Sequence, residues 1–224
     1  MHVPEAATAA TPFDHPIFSE SIRRIREALS LESGLANYTP LQQEVLLRLI
    51  HSSGDLNLAQ DLRFSIGACE AGVAALAAGA PLLTDTAMAA AAVTPMAQRT
   101  FGNAVHCVLE WAPARAPSGG TRTAVGMERA LAHCPAAVVL IGSAPTALEV
   151  LLQRVAVGSA APALVIGMPV GFVGVAESKA HLAALDQAVP QIRLEGSRGG
   201  AGLVAAAANA LLRHGWLAHH QLML

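Results

Sequence analysis

Five short apolar runs mark the central and C-terminal parts of the chain, and segments with helical periodicity separate them. The runs are Pro81–Asp85, Val105–Trp111, Ala137–Ile141, Ala163–Met168 and Gln191–Glu195. The intervening segments 121–133 and 146–156 carry apolar residues at three- and four-residue spacing, which indicates amphipathic helices. The central runs are continuously apolar, as is typical of parallel strands buried on both faces. The alternation therefore predicts an α/β fold with a parallel sheet of about five strands between helices.

The first third of the chain has a different pattern, with helical periodicity and no strand-like runs. Segments 19–30, 40–53 and a long alanine-rich stretch from Asn57 to about Ala78 predict three helices that precede the sheet. Residues 1–18 are expected to form an irregular segment, and the Pro/Gly-rich stretch 112–120 a loop. Because no low-complexity linker interrupts the sequence, we expect a single domain over 1–224.

The composition is strongly apolar for a protein of this size. Hydrophobic residues make up 53% of the 224 residues and charged residues 13%, with a mean hydropathy of +0.46. Such a composition favours an oligomer in which a subunit interface covers much of the apolar surface. The longest low-charge segment, Ser65–Leu83, contains Glu70 and is mostly Ala and Gly, so it does not predict a membrane span.

Charge, cysteine content and the N-terminal sequence exclude several classes of protein. The net charge is −2, which gives no overall positive field for binding nucleic acid. Three cysteines without a C-x-x-C motif do not indicate a disulfide framework or a structural zinc site. The N-terminus lacks the basic and apolar regions of a secretory signal, so we expect a cytoplasmic protein.

The turn that follows the run ending at Ile141 is a candidate anion site. A strand that ends near Gly142 is followed by Thr146 and Glu149, whose spacing fits a capping box at the start of a helix. A helix N-terminus presents free backbone N–H groups, which favour an anionic ligand above the sheet. The neighbouring hydroxyl of Ser143 belongs to the same turn.

A second turn, in GMPVGFVG, has a similar construction. Gly167, Gly171 and Gly174 allow a close approach of the backbone to a ligand, and Pro169 stiffens the turn. The alternative is that these glycines only form tight turns. Neither turn matches the dinucleotide fingerprint or the phosphate-binding loop, so a nucleotide is not indicated.

Histidine is the side chain best suited to transfer a proton near neutral pH, and His51 in RLIHSSGD is the main candidate. It lies at the predicted end of a helix, where the macrodipole favours the imidazolium form that a proton donor requires. The alternative is a histidine that only stabilises the helix end, with Gly54 as the terminator.

Charged side chains beside the predicted turns provide a second set of candidates. Arg122 follows a glycine pair at the start of a predicted helix, and Arg198 lies in the loop after the last strand. Both are suited to bidentate carboxylate binding, although exposure to solvent is the commoner state of an arginine. Thr84 and Asp85 lie at another strand end, where Asp85 either binds a ligand or caps a helix.

Five segments, taken in chain order, resemble the precorrin-8X methylmutase family of cobalamin biosynthesis. These segments are RLIHSSGD, APLLTDTAM, TRTA, IGSAPTALEVLL and GMPVGFVGVAESK, and the resemblance extends from about Ser19 to Leu212. It implies a flavodoxin-like, three-layer fold, a homodimer, and an isomerase that moves a methyl group between adjacent ring C carbons of precorrin-8X to give hydrogenobyrinate. No added cofactor or metal is implied. The implied substrate is a flat, apolar macrocycle fringed with carboxylates.

The resemblance also implies roles for individual residues. His51 is the expected catalytic residue, which protonates the macrocycle and so favours the methyl shift, and Ser21 matches a substrate-binding position of the family. The other expected substrate contacts are Thr84, Asp85, Arg122, Ser143, Thr146, Gly167, Gly171 and Arg198.

Three other functions remain open on the sequence alone. The first is a cobalt-precorrin-8 methylmutase, which acts on the cobalt-containing form of the substrate. The second is a corrinoid carrier that binds without catalysis, and the third is a dinucleotide-dependent oxidoreductase on the same scaffold, disfavoured by the missing fingerprint. Hand-over of the product to the next enzyme of the pathway is also expected.

Overall fold

The computed structural model describes residues 13–30, 35–185 and 188–220. Within them the chain forms a six-stranded mixed sheet and nine α-helices, with one short 3-10 helix at Val108–Glu110. The helices are α1 Pro16–Ser30, α2 Pro40–Ser53, α3 Leu58–Asp61, α4 Ala68–Ala77, α5 Ala87–Arg99, α6 Arg122–His133, α7 Pro145–Ala156, α8 Val175–Ala184 and α9 Ala201–His219. The strands are β1 Leu62–Phe64, β2 Leu82–Thr84, β3 Val105–Cys107, β4 Val138–Ile141, β5 Leu164–Gly167 and β6 Gln191–Leu194.

The sheet has the strand order β1-β6-β5-β4-β2-β3. Strands β2 to β6 are all parallel, and β1 pairs antiparallel with β6 at one edge. Numbered among themselves, the five parallel strands follow the 2-1-3-4-5 order of flavodoxin-like sheets. The α/β prediction is therefore confirmed, with one strand more than expected.

Three sequence-based boundaries were wrong. The segment from Asn57 to Ala78 is not one helix but contains α3, β1 and α4, and Gly67, at φ 71°, adopts a left-handed conformation just before α4. The strand that begins at Val105 ends at Cys107, where Glu110 accepts a hydrogen bond from the Cys107 N–H at 2.7 Å and starts the 3-10 turn. Helix α1 begins at Pro16, so residues 16–18 are helical, whereas residues 1–12 lie outside the described part.

Side chains from each central strand alternate between two apolar cores. Val138 and Leu140 of β4 pack into a core with α2, α4, α5 and α9, whereas Val139 and Ile141 pack on the opposite face with α6 and α7. Both faces of the sheet are thus covered, which explains why the strands are continuously apolar. Helices α1 and α2 add an outer layer, because α2 packs against α9 and α1 against α2.

Helix α2 has defined signals at both ends, and these fix the position of His51. Thr39 accepts a hydrogen bond from the Gln42 N–H while the Gln42 side chain accepts one from the Thr39 N–H. At the other end Gly54 takes a left-handed conformation, with φ 71°, and donates its N–H to Ile50. Because the helix stops there, His51 lies in its last turn, as the sequence predicted.

Two further features agree with the composition. Cys69, Cys107 and Cys134 are buried free thiols. Among the described helices, none has both the length and the apolar character that crossing a membrane requires.

Candidate active site

The carboxyl ends of the five parallel strands bring most of the predicted site residues to one edge of the sheet. Asp85 follows β2, Ser143 follows β4, Gly171 follows β5 and Arg198 follows β6. The loops are joined directly, because Val170 donates its N–H to Gly142 at 3.1 Å and Gly171 donates its N–H to Ser197 at 3.1 Å. This edge forms one continuous surface, where flavodoxin-like folds bind their ligands.

The anion site predicted after β4 is occupied by the chain itself. Oδ2 of Asp85 accepts hydrogen bonds from the N–H groups of Gly142, Ser143 and Ala144 at 3.1, 2.6 and 2.8 Å. Asp85 is fully buried, and burial raises the pKa of its carboxyl while the three N–H bonds oppose that shift. The expectation that these N–H groups are free for a ligand was therefore wrong.

Burial also removes Thr84 from the surface. Its hydroxyl group is completely buried and donates to the carbonyl oxygens of Thr86 and His106 at 3.1 and 3.2 Å. Thr84 and Asp85 were both predicted to contact the substrate. In the structure their side chains hold β2, β3 and the start of α7 together, and contact with the substrate stays a prediction.

Thr146 belongs to the site through a different bond from the one predicted. Helix α7 begins at Pro145, so Thr146 lies inside its first turn and is not a capping residue. Its Oγ1 lies 2.7 Å from Oγ1 of Thr121, which caps α6 by accepting the Ala124 N–H. The two hydroxyl groups join the starts of α6 and α7 at the rim of the sheet.

Arg122, the first residue of α6, is exposed at this rim. Its Nε–H donates to the carbonyl of Pro113 at 2.8 Å, which ties the 112–120 loop to the helix. Arg122 directly follows Thr121, whose hydroxyl group contacts Thr146. Arg122, Ser143 and Thr146 therefore lie on the same side of the site. The exposed guanidinium is the cationic side chain that this part of the rim offers to an anion.

Close packing explains two of the glycines. A Cβ atom on Gly167 would lie 2.3 Å from Cδ2 of Leu182, and one on Gly199 would lie 1.9 Å from the carbonyl oxygen of Met168. Gly167 therefore serves the packing of β5 against α8, and Gly199 the contact between the loops after β5 and β6. Gly171, at φ 133°, adopts a conformation that other residues rarely take.

The loop after β5 presents an apolar surface at the rim. Phe172 is 93% exposed and Val173 88% exposed. Large apolar side chains with such exposure indicate a surface that a ligand or a second chain covers. They lie beside the rim formed by Gly171 and Ser197.

Arg198 binds carboxylates of its own chain. Its guanidinium forms ion pairs with Asp55, at 2.7 Å, and with Asp61. The hydrogen bond from Arg198 lowers the pKa of Asp55. These contacts join the loop after α2 to the loop after β6 and bring the His51 end of α2 to the sheet edge, and substrate binding by Arg198 stays a prediction.

Sequence reasoning did not single out Lys179, although the quoted segment GMPVGFVGVAESK contains it. The buried ammonium donates to the carbonyl oxygens of Gly196 and Arg198, both at 2.7 Å. Burial lowers the pKa of Lys179 to about 8. The sequence signal for Lys179 was its position four residues after the start of a helix that begins at the ligand-binding edge of the sheet.

His51 contacts two residues of α1. Its Nδ1 lies 2.8 Å from Oγ of Ser21, and its ring meets the Phe18 ring edge-on, with centroids 5.1 Å apart. Burial, followed by the charge of Arg48, lowers the pKa of His51. This direction is opposite to the shift that the helix dipole was expected to cause.

Comparisons with known proteins point to one family. A family model described as precorrin-8X methylmutase matches residues 16–214. The precorrin-8X methylmutase of Pseudomonas aeruginosa is 45% identical over 198 residues, which cover 87% of this chain and 93% of that protein. A cobalt-precorrin-8 methylmutase of Synechocystis sp. is 37% identical over 219 residues, covering 92% and 98%. A solved structure of the precorrin-8X methylmutase from Thermus thermophilus matches with a TM-score of 0.79 and 39% identity, covering 90% of this chain and 98% of that one.

Proposed function

Because the chain belongs to the precorrin-8X methylmutase family, the isomerases that transfer a methyl group within the corrin-precursor ring in cobalamin biosynthesis, we propose that its substrate is precorrin-8X and that His51 supplies the proton for the methyl shift. The contact between Ser21 Oγ and His51 Nδ1 carries this proposal. It fixes one ring nitrogen at the sheet edge and leaves Nε2 for the macrocycle.

The proton balance of the reaction suits this arrangement. In the imidazolium form, Nδ1–H donates to Ser21 and Nε2–H donates its proton to the macrocycle. The protonated macrocycle then moves the methyl group to the adjacent carbon of ring C, one carbon–carbon bond breaking as the other forms. Because the product is an isomer of the substrate, a proton returns to Nε2 and His51 ends as it began. The Nδ1–H bond to Ser21 is kept throughout.

The low pKa of His51 fits such a role. A more acidic imidazolium is a stronger proton donor toward a weakly basic carbon or nitrogen of the macrocycle. The lowered pKa favours the neutral ring in the free protein, and bound carboxylates would favour its protonation by adding negative charge. Binding of the substrate thus favours the protonated form of His51 that the reaction needs.

The rim offers partners for a flat, carboxylate-fringed ring. We assign Arg122 to a carboxylate of the substrate, and Ser143 and Thr146 to hydrogen bonds with the substrate. The apolar face of the ring would lie on the surface of Phe172 and Val173. The exposure of Arg122 and of both apolar side chains supports this assignment.

Relatives named for precorrin-8X and relatives named for cobalt-precorrin-8 both match this chain. The cobalt-free substrate is favoured because the 45% identical relative is named a precorrin-8X methylmutase. The 37% identical relative, which covers more of this chain, is named a cobalt-precorrin-8 methylmutase, so cobalt-precorrin-8 is the second candidate.

We also propose a homodimer in the cytoplasm that hands its product to the next enzyme of the pathway. The exposed side chain of Ile66, away from the residues assigned to the substrate, supports the homodimer, because a second copy would cover it. Light scattering coupled to gel filtration distinguishes a dimer of about twice the 23.0 kDa chain mass from a monomer.

The assignment is tested by anaerobic incubation of the purified protein with precorrin-8X and, separately, with cobalt-precorrin-8. Absorption spectra follow the rearrangement of the macrocycle. Faster conversion of precorrin-8X supports the proposal, and faster conversion of cobalt-precorrin-8 favours the second candidate. Tight binding of hydrogenobyrinate without turnover of either substrate would instead indicate a corrinoid carrier.

A further inference from the structure

The guanidinium of Arg48 packs against Phe18, which also contacts His51. Its carbon atom is 4.6 Å from the centroid of the Phe18 ring, whose edge in turn meets the His51 ring. The guanidinium lies in a cavity of about 270 Å³ between α1, α2 and α9. His51, Phe18 and Arg48 therefore form a chain of contacts that links the candidate active site to this cavity.

Arg48 is unusual because the nearby carboxylate of Asp14 acts on its charge only through space. Among the residues that the structure describes, no hydrogen bond or ion pair reaches its guanidinium, and burial lowers its pKa. The two acidic residues of the cavity, Asp14 and Glu44, are bound by Arg213, and Glu44 also binds His214. Both acids form ion pairs with Arg213, so only the through-space charge of Asp14 offsets the positive charge of Arg48.

The other charged groups around His51 are likewise paired. On α1, Glu20 binds Arg23 and Arg24. After α2, Asp55 binds Arg198. On α9, Arg213 lies 5.8 Å from the Phe18 centroid and is paired with Asp14 and Glu44. Arg48 thus differs from these groups, because no ion pair among the described residues holds its guanidinium.

We propose that Arg48 and Phe18 are positioning residues for the reaction: together they hold the His51 ring at the angle that directs Nε2 to the substrate and keep an unpaired positive charge beside it. The cation stacked on the face of Phe18 stabilises that ring, and the ring edge limits rotation of His51. The unpaired charge makes the His51 proton easier to transfer. This inference rests on the role of His51 proposed above and deepens it.

The titration of His51, followed by NMR on isotope-labelled histidine, tests the charge effect without any assay of activity. His51→Gln identifies the His51 signal among those of the nine histidines. In Arg48→Gln the titration midpoint of His51 should move to higher pH, whereas Arg48→Lys, which keeps the charge, should stay near the wild-type midpoint. The matched control is Arg24→Gln, which removes an exposed charge of α1 that Glu20 binds, and it should leave the midpoint unchanged.

Activity provides the second arm. The alkaline limb of kcat against pH should move in Arg48→Gln in the same direction as the NMR midpoint, and Phe18→Leu should lower kcat more than it changes KM. An unchanged NMR midpoint in a folded Arg48→Gln protein would overturn the inference. A midpoint that moves with an unchanged pH profile would uphold the charge effect of Arg48 and refute His51 as the proton donor.

Discussion

The Nδ1 atom of His51 lies 2.8 Å from the Oγ atom of Ser21, across the contact between α2 and α1. The two residues are 30 positions apart in the sequence, so neither local periodicity nor a motif joins them. In the proposed mechanism this bond fixes which ring nitrogen faces the substrate, and it would give α1 a role in the reaction.

Ser21→Ala removes that bond while leaving the helix intact. A hydrogen bond of this kind contributes about 1 kcal/mol, so kcat should fall by roughly fivefold to tenfold, with little change in KM. Steady-state kinetics at fixed pH measure the change. Ser21→Thr, which keeps a hydroxyl group, should retain most of the activity; equal rates for Ser21→Ala and wild type would show that the bond does not orient His51.

Binding of the product should be accompanied by proton uptake. Burial and Arg48 lower the pKa of His51 in the free protein, and the carboxylates of hydrogenobyrinate raise it in the complex. At a pH between the free and bound pKa values, the complex therefore holds more protons than the free protein. Isothermal titration calorimetry in buffers of different ionisation enthalpy measures this uptake. His51→Gln should abolish it, and uptake that persists in this variant would assign the proton to another group.

The carboxylate of Asp85 should be essential for stability. Asp85→Ala leaves the buried N–H groups of Gly142, Ser143 and Ala144 without an acceptor, which should cost about 3 kcal/mol or more of the free energy of unfolding. Asp85→Asn keeps an acceptor oxygen and should cost less.

Urea unfolding curves of both variants provide this comparison. Formate or acetate should partly restore the stability of Asp85→Ala, because a small anion fills the space at the start of α7. Equal losses in the alanine and asparagine variants would contradict this account of Asp85.

Gly199 should tolerate no side chain. A Cβ atom would lie 1.9 Å from the Met168 carbonyl oxygen, so Gly199→Ala should separate the loops after β5 and β6 and lower both stability and substrate affinity. Gly202→Ala is the matched control, because a Cβ atom there meets no atom within 4 Å and lies in a helix. Thermal unfolding and product titrations compare the two; similar behaviour of both variants would show that the loops yield at this contact.

The sequence predicted the parallel sheet and the position of His51 because both depend on local patterns. Continuous apolar runs identify doubly buried strands, and the glycine after RLIHSS identifies the end of α2. Strand β1 escaped prediction because three residues at a sheet edge carry too little pattern to separate from the helices around them.

The partners of two predicted site residues could not be read from the sequence, for a common physical reason. Asp85 was predicted to bind a ligand or cap a helix, and Arg198 to bind a carboxylate; in the structure both hold distant parts of the same chain. Asp85 binds backbone 57 to 59 positions away, and Arg198 binds acids 143 and 137 positions away. Sequence spacing shows what a side chain is able to bind, whereas the fold decides what is in reach.

The central claim is that His51 donates the proton for the methyl shift, and one measurement tests it most directly. Purified wild-type protein and His51→Ala are mixed anaerobically with precorrin-8X under single-turnover conditions, and the absorption of the macrocycle is followed after circular dichroism has shown that both proteins are folded. The account predicts that the variant binds precorrin-8X and converts it at least a hundredfold more slowly, as expected for the loss of a general acid. Conversion by His51→Ala at the wild-type rate would contradict it.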